Sequence, residues 1–273
     1  MNRALGICLA TSLLLLAPAC EPKQKEVDVE GEIKRNLGEG DSNLRNNKID
    51  EAEANYKQVL THDANNAAAL TGLGRVALER NDPAAAVDPL EKAVAADDKN
   101  ALAHASLGRA YVGTKDWAKA AEQLGKAWEL DQDTEQYGLE YGVALRESKQ
   151  FDKAVETLTE VAEINPKIKY VYRELGKTHF AASELDKSLR MFMKAQSTWA
   201  GDQDSFAGAA MVYEAQGDVS KAIDQWSQYI QQDCCSSYSK ETAQPKLAEL
   251  KDKENATPNA EGGEPAGDEP ADG

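Results

Sequence analysis

The residues Ala101–Thr134 read ALAHASLGRAYVGTKDWAKAAEQLGKAWELDQDT, and the chain returns to this pattern every 34 residues. Gly108 has counterparts at Gly40, Gly74, Gly142 and Gly176, with Ala210 in the sixth place. Ala120 has counterparts at Ala52, Ala86, Ala154, Ser188 and Ala222. A fixed period of this length restricts a chain to architectures in which one small unit stacks on the next, because a single unit cannot bury its apolar face alone. Within the unit, Leu107, Gly108 and Tyr111 share one helical face, and Ala120, Leu124 and Ala127 share another. Glycine inside a helix costs about 1 kcal/mol relative to alanine, so its recurrence at one helical position implies that two backbones approach closely there. An alanine-rich helical bundle with accidental spacing is the competing arrangement. A strict period at two small-residue positions over six units argues against it.

At these positions the chain resembles the tetratricopeptide repeat (TPR) family. That family prefers small residues where Gly108 and Ala120 lie, an aromatic where Tyr111 lies, and a proline near the end of the unit, which here appears only as Pro166. The resemblance implies an all-α, right-handed α-solenoid of six 34-residue TPR helix pairs followed by a C-terminal capping helix. The units are residues 33–66, 67–100, 101–134, 135–168, 169–202 and 203–236. Residues 237–254 make the cap, with Pro245 beginning or kinking it. In the first unit Ala52, Tyr56 and Val59 lie on one face, but Asn36, Glu39 and Asn43 stand where apolar residues belong, as a terminal repeat with a polar outer face requires. Asp82, Asp116 and Asp218 are expected to cap the second helices of their units. Residues 255–273 have no core-forming residue and five carboxylate side chains, and are expected to be disordered.

The N-terminus carries its own signal. Arg3 precedes an apolar run, Ala4–Ala19, that is shorter than the roughly 20 residues of a membrane span and fits a secretory signal peptide over residues 1–19. The run ends in LAPAC, which resembles the lipobox of bacterial lipoproteins. By that resemblance cleavage precedes Cys20, which then carries acyl chains. Ala17 stands where the family favours leucine, so an ordinary signal peptide ending at the same small residues stays open. Acyl chains contribute about 0.8 kcal/mol per buried CH₂, enough to anchor. Glu21 rather than aspartate after the cysteine favours the periplasmic face of the outer membrane over an inner-membrane anchor or release. Residues 20–32 read as a linker, and its twelve residues Glu21–Glu32 reach at most about 40 Å.

Composition bounds the partners. The formal charge is −16, from 31 basic and 47 acidic side chains, which disfavours nucleic acid and serves solubility. No phosphate loop, nucleophile elbow, zinc motif or CxxC occurs, so no enzyme, cofactor, metal or small-molecule substrate is expected. His104 and His179 read as packed between helices, and His62 carries no motif. Cys234 and Cys235 are adjacent. In an oxidising compartment they read as a vicinal disulfide stapling their loop, with a disulfide to another chain or two free thiols as alternatives.

TPR proteins present ligand-facing residues on the first helix of each unit. That correspondence selects Arg75, Arg109, Arg146, Arg173 and Lys177, interleaved with Leu102, Leu139, Val143, Tyr170, Phe180 and Met211. One reading is a groove where partner carboxylates meet the arginines beside apolar anchors; the other is that the arginines pair with Glu140, Glu147 and Glu174. The lysines of chaperone-binding TPR clamps are replaced by Leu37, Thr71 and Ala105. The whole pattern reads as a lipid-anchored periplasmic scaffold for a protein partner. TPR units behind a lipobox resemble pilotins, the lipoproteins that help type IV pilus secretins assemble in the outer membrane. An adaptor that recruits or regulates a periplasmic hydrolase or an outer-membrane protein assembly complex is the alternative.

Overall fold

The computed structural model describes residues 28–256. The expected signal peptide, the expected lipidation site Cys20 and the tail beyond Ala256 lie outside these residues. Among the described residues there are only helices and turns. The first helices of the pairs are α1 (Val29–Arg45), α3 (Ala67–Glu79), α5 (Ala101–Gly113), α7 (Glu135–Glu147), α9 (Val171–Ala181) and α11 (Gln203–Gln216). The second helices are α2 (Ile49–His62), α4 (Pro83–Ala96), α6 (Trp117–Leu130), α8 (Phe151–Ile164), α10 (Leu185–Thr198) and α12 (Val219–Gln232). All six second helices begin at a 34-residue interval. A single π-helical turn, Ser239–Ala243, leads into α13 (Gln244–Ala256), which packs on α12. No described helix is long and apolar enough to cross a membrane.

The repeated glycine makes room for a side chain of the paired helix as well as for its backbone. A Cβ added at Gly74 would sit 2.2 Å from Leu90 Cγ, at Gly108 2.6 Å from Leu124 Cγ, and at Gly142 2.5 Å from Leu158 Cγ. At Gly40 it would meet the Tyr56 ring and at Gly176 the Phe192 ring. The glycine therefore makes a socket for a side chain of the paired helix, and at Gly108 the backbone of that helix comes close as well, with Leu124 N 3.2 Å from the added Cβ. The knobs Tyr56, Leu90, Leu124, Leu158, Phe192 and Trp226 recur at the same 34-residue interval, and all are fully buried or nearly so. The alanine position is closed to solvent in all six units. Ala52, Ala86, Ala120, Ala154, Ser188 and Ala222 are all at 0% exposure, and the Ser188 hydroxyl donates to the Gly176 carbonyl of the facing helix at 2.8 Å.

The turns inside the pairs share one conformation. Asn47, Asn81, Lys115, Lys149, Ser183 and Gly217 each have φ between 58° and 80°, the left-handed region that reverses the chain into the second helix. Asp82, Asp116 and Asp218 then accept from the backbone N–H groups of Ala85, Lys119 and Lys221, as N-caps do.

Three boundaries and one set of contacts differ from the sequence reading. The expected linker loses its last residues, because Asp28 caps Gly31 at 2.9 Å and α1 begins at Val29. The polar residues of α1 do not only face solvent: Asn55 of α2 donates to Asn36 and Glu39 and accepts from Asn43. The fifth unit's helix starts two residues late, after Tyr170 at φ 75°. The cap comprises the π turn and α13, which runs to Ala256 with Pro245 in its first turn.

Candidate partner-binding groove

The first helices form the inner face of the solenoid. Besides packing on their own partners, α1 packs on α3, α3 on α5, α7 on α9 and α9 on α11. Substantial contact of this kind does not join successive second helices, so the stack curves with the first helices inside.

Two clefts open on this face. The middle cleft, of 350 Å³, lies across α5, α7 and α9 and is lined by Arg109, Val112, Leu139, Val143, Tyr170 and Arg173 among others. The C-terminal cleft, of 510 Å³, lies between α9, α11, α12 and the loop that follows α12. Lys177, Phe180, Ala207, Met211, Tyr229 and Tyr238 border it. A smaller depression beside it shares Phe180, Met211 and Tyr238. Met211 and Tyr238 are 41% and 44% exposed, a large apolar surface for the interior of a groove.

The residues selected from sequence thus divide. Arg109, Leu139, Val143, Tyr170 and Arg173 meet in the middle cleft, and Lys177, Phe180 and Met211 in the C-terminal one. Arg75, Leu102 and Arg146 line neither. Tyr238 was missed. It stands 34 residues after Asp204, where a further unit would place its first helix, so extending the period by one unit would have found it.

The cations of this face are engaged within the chain. Arg75 pairs with Asp41 at 3.5 Å, and the Arg109 guanidinium grips Glu140 through two nitrogens at 2.8 and 3.1 Å. Arg146 bonds Glu147 at 2.8 Å and also Glu174. Arg173 donates to Asp202 at 2.8 Å and Asp204 at 3.1 Å and lies 3.9 Å from the centre of the Tyr170 ring. Lys177 donates to Glu174 at 3.0 Å. Most of these pairs reach from one unit into the next, so they form a ladder along the stack. Tyr170 has a left-handed backbone, at φ 75°, and its ring lies over Arg173.

Glu174 is the centre of the ladder. It is only 7% exposed. Burial pushes its carboxyl up, but the charges of Lys177 and Arg146 outweigh burial and hold it below the usual carboxylate range. Asp202 goes the other way, because burial dominates over Arg173 and holds it above its ordinary value. Binding a partner carboxylate here would require Arg109 or Arg173 to leave a partner it already has. The clefts therefore offer apolar walls with a charge-compensated rim.

Two histidines are engaged within the chain. His104 bonds the Gln123 amide oxygen at 2.8 Å and the Asp98 carbonyl at 3.1 Å, and His179 bonds Glu184 at 2.6 Å. Among the described residues no three metal-ligating side chains converge. Cys234 and Cys235 are joined, with sulfurs 2.29 Å and Cα atoms 3.8 Å apart.

Three segments match the tetratricopeptide repeat family: residues 37–101, 77–140 and 139–168. No curated relative matches the sequence. Among solved structures the chain is similar to PilF of Pseudomonas aeruginosa, at TM-score 0.64 and 16% identity over 82% of this chain and 99% of that one. It is similar to PilW, a widely conserved type IV pilus biogenesis factor, at TM-score 0.65 and 18% identity over 77% and 97%. It is also similar to YrrB, a TPR protein with an unusual peptide-binding site, at TM-score 0.56 and 18% identity over 69% and 97%. At these identities the likeness speaks for the fold. Sequence match, helix-pair period and knob-in-socket packing agree, and the chain belongs to the tetratricopeptide repeat family.

Proposed function

We propose that this TPR scaffold is anchored by lipid on Cys20 at the periplasmic face of the outer membrane and holds a protein partner there without catalysing a reaction. Its more specific role is that of a pilotin, which supports assembly of a type IV pilus secretin. The observation that carries the binding part is the pair of apolar clefts on the inner face, with Met211 and Tyr238 exposed inside the groove. Recognition there rests on apolar anchors of the partner, because the arginines first considered for partner carboxylates already have internal partners. The pilus role draws on the architectural likeness to PilF and PilW together with the lipobox.

The test separates anchor, groove and role. Membrane fractionation of a Cys20→Ser strain should move the protein from the outer membrane to the soluble periplasm. A Val143→Glu/Met211→Glu variant should keep its helical content and its anchor but lose secretin multimers, as a deletion strain does. Normal secretin multimers in the deletion strain, with altered cell-wall composition, would replace the pilotin with an adaptor for a cell-wall enzyme.

A further inference from the structure

We infer that the thiol–disulfide state of Cys234 and Cys235 controls the C-terminal cleft, so that the bonded pair holds the cleft ready for an apolar side chain and the reduced pair releases one of its walls. This rests on the reading of that cleft as a partner site. The loop after α12 carries the pair, and its neighbours Asp233, Ser236 and Tyr238 are wall residues of the cleft. A network of hydrogen bonds holds the loop, including one from the Lys240 N–H to the Ser236 carbonyl at 3.1 Å. The Asp233 carboxylate accepts from the Ser236 backbone N–H at 3.0 Å, from that of Cys235 at 3.4 Å and from the Tyr229 hydroxyl at 3.0 Å. Gln244 donates to the Cys234 carbonyl at 3.1 Å, and the Ser236 hydroxyl oxygen accepts from the Ser239 N–H at 3.0 Å. Tyr238 then meets Tyr229 edge-on, with ring centres 5.7 Å apart.

A bond between adjacent cysteines closes a small ring that contains their own peptide, so its presence or absence changes the backbone freedom of the two residues at the root of the wall. Both cysteines are exposed, where a reductant reaches them. The reductant is a dithiol. Its thiolate attacks one Sγ, the Cys234–Cys235 bond breaks, and its second thiol closes on the mixed disulfide. The dithiol leaves as its own disulfide, and two electrons and two protons remain on the two cysteines. Once the peptide relaxes, the Asp233 clasp and the placement of Tyr238 beside Met211 loosen together.

The experiment uses purified protein with methyl-¹³C methionine and the neutral fluorophore N-phenyl-1-naphthylamine as the cleft probe. Thiol titration should find no free thiol at 234 and 235 before dithiothreitol and two after it. Reduction, or the Cys234→Ser/Cys235→Ser variant, should move the Met211 methyl resonance and leave that of Met193, which is exposed on α10 outside the cleft. Probe affinity should fall by about tenfold, the scale of a modest coupling between two states. Free thiols in the air-oxidised protein, or an unmoved Met211 resonance and equal probe affinity in both states, would overturn the redox control. Met211→Glu discriminates the two layers. It should abolish probe binding in either redox state, and unchanged binding in this variant would remove the cleft itself and the control with it. Abolished binding alongside redox-independent wild-type affinity would remove the control alone.

Discussion

Replacing Glu174 by glutamine tests whether the ladder of ion pairs holds the fourth and fifth units together. Glu174 is buried and pairs with Arg146 and Lys177, with Arg173 at 3.3 Å. The side chains of Arg146 and Arg173 are themselves only 13% and 14% exposed. Removing one member of a buried ion pair costs about 3–5 kcal/mol, because the charge left behind stays out of water. Here Arg146 keeps Glu147 and Arg173 keeps Asp202 and Asp204, so we expect about 2–3 kcal/mol. Glu140→Gln is the control. Its partner Arg109 is more than a third exposed, and a surface pair contributes about 0–1 kcal/mol. Urea unfolding followed by circular dichroism reads both variants. The pH dependence gives an independent sign. The folded Glu174 carboxyl lies below its ordinary value, so its stabilisation is complete above about pH 4.3 and disappears as pH falls through the folded value. The gap between wild type and Glu174→Gln should therefore close on acidification. Asp202 has the opposite sign: its stabilisation is present below about pH 3.9 and is lost as pH rises through its raised folded value. A Glu174→Gln variant as stable as Glu140→Gln, or a gap that widens in acid, would refute the ladder as a source of cohesion.

The socket and turn arguments make further measurable statements. Gly142→Ala places a Cβ against Leu158; overpacking costs about 1–3 kcal/mol against a helix-propensity gain of about 1 kcal/mol, so thermal unfolding should show a net loss. Gly38→Ala in α1, where an added Cβ meets nothing within 4 Å, should instead stabilise. Lys149→Gly, at φ 64°, should raise stability by about 0.5 kcal/mol, the left-handed cost for a side chain less the extra entropy of glycine. Gly217→Ala, at φ 80° with free space around it, should lower stability by about 0.5–1 kcal/mol by the same difference taken in reverse.

Much of this architecture was legible because the period repeats small residues, which have few reasons to recur other than packing. Gly108 and Ala120 located both helices of every pair. What they packed against was not legible, since a glycine marks missing volume without saying whether a backbone or a side chain fills it; Leu90, Leu124 and Leu158 supply the answer only in three dimensions. The left-handed turn position was equally hidden, because Lys115 and Lys149 carry none of the sequence preference for that conformation that Asn47, Asn81 and Gly217 do. Of the arginines selected on the first helices, Arg109 and Arg173 line the middle cleft and Arg75 and Arg146 line neither cleft. Three of their carboxylate partners were named from the sequence as the alternative to a partner-binding role, and the structure pairs Glu140 with Arg109, Glu147 with Arg146, and Glu174 with both Arg146 and Arg173. Asp41 beside Arg75 and Asp202 and Asp204 beside Arg173 went unnoticed, because they stand roughly 30 residues off in sequence, beyond the reach of i,i+3 and i,i+4 patterning. Tyr238 was overlooked because it falls after the last complete unit, although it completes the wall of the C-terminal cleft.

The most direct test of the scaffold reading places a photocrosslinking amino acid at Val143, at Met211 or at Met193 in living cells. The account predicts that one envelope protein crosslinks from Val143 and Met211 and not from Met193, which lies outside both clefts. Crosslinking to that protein from Met193 alone would contradict it, because the partner would then sit on the second helices and the inner clefts would be empty in the cell.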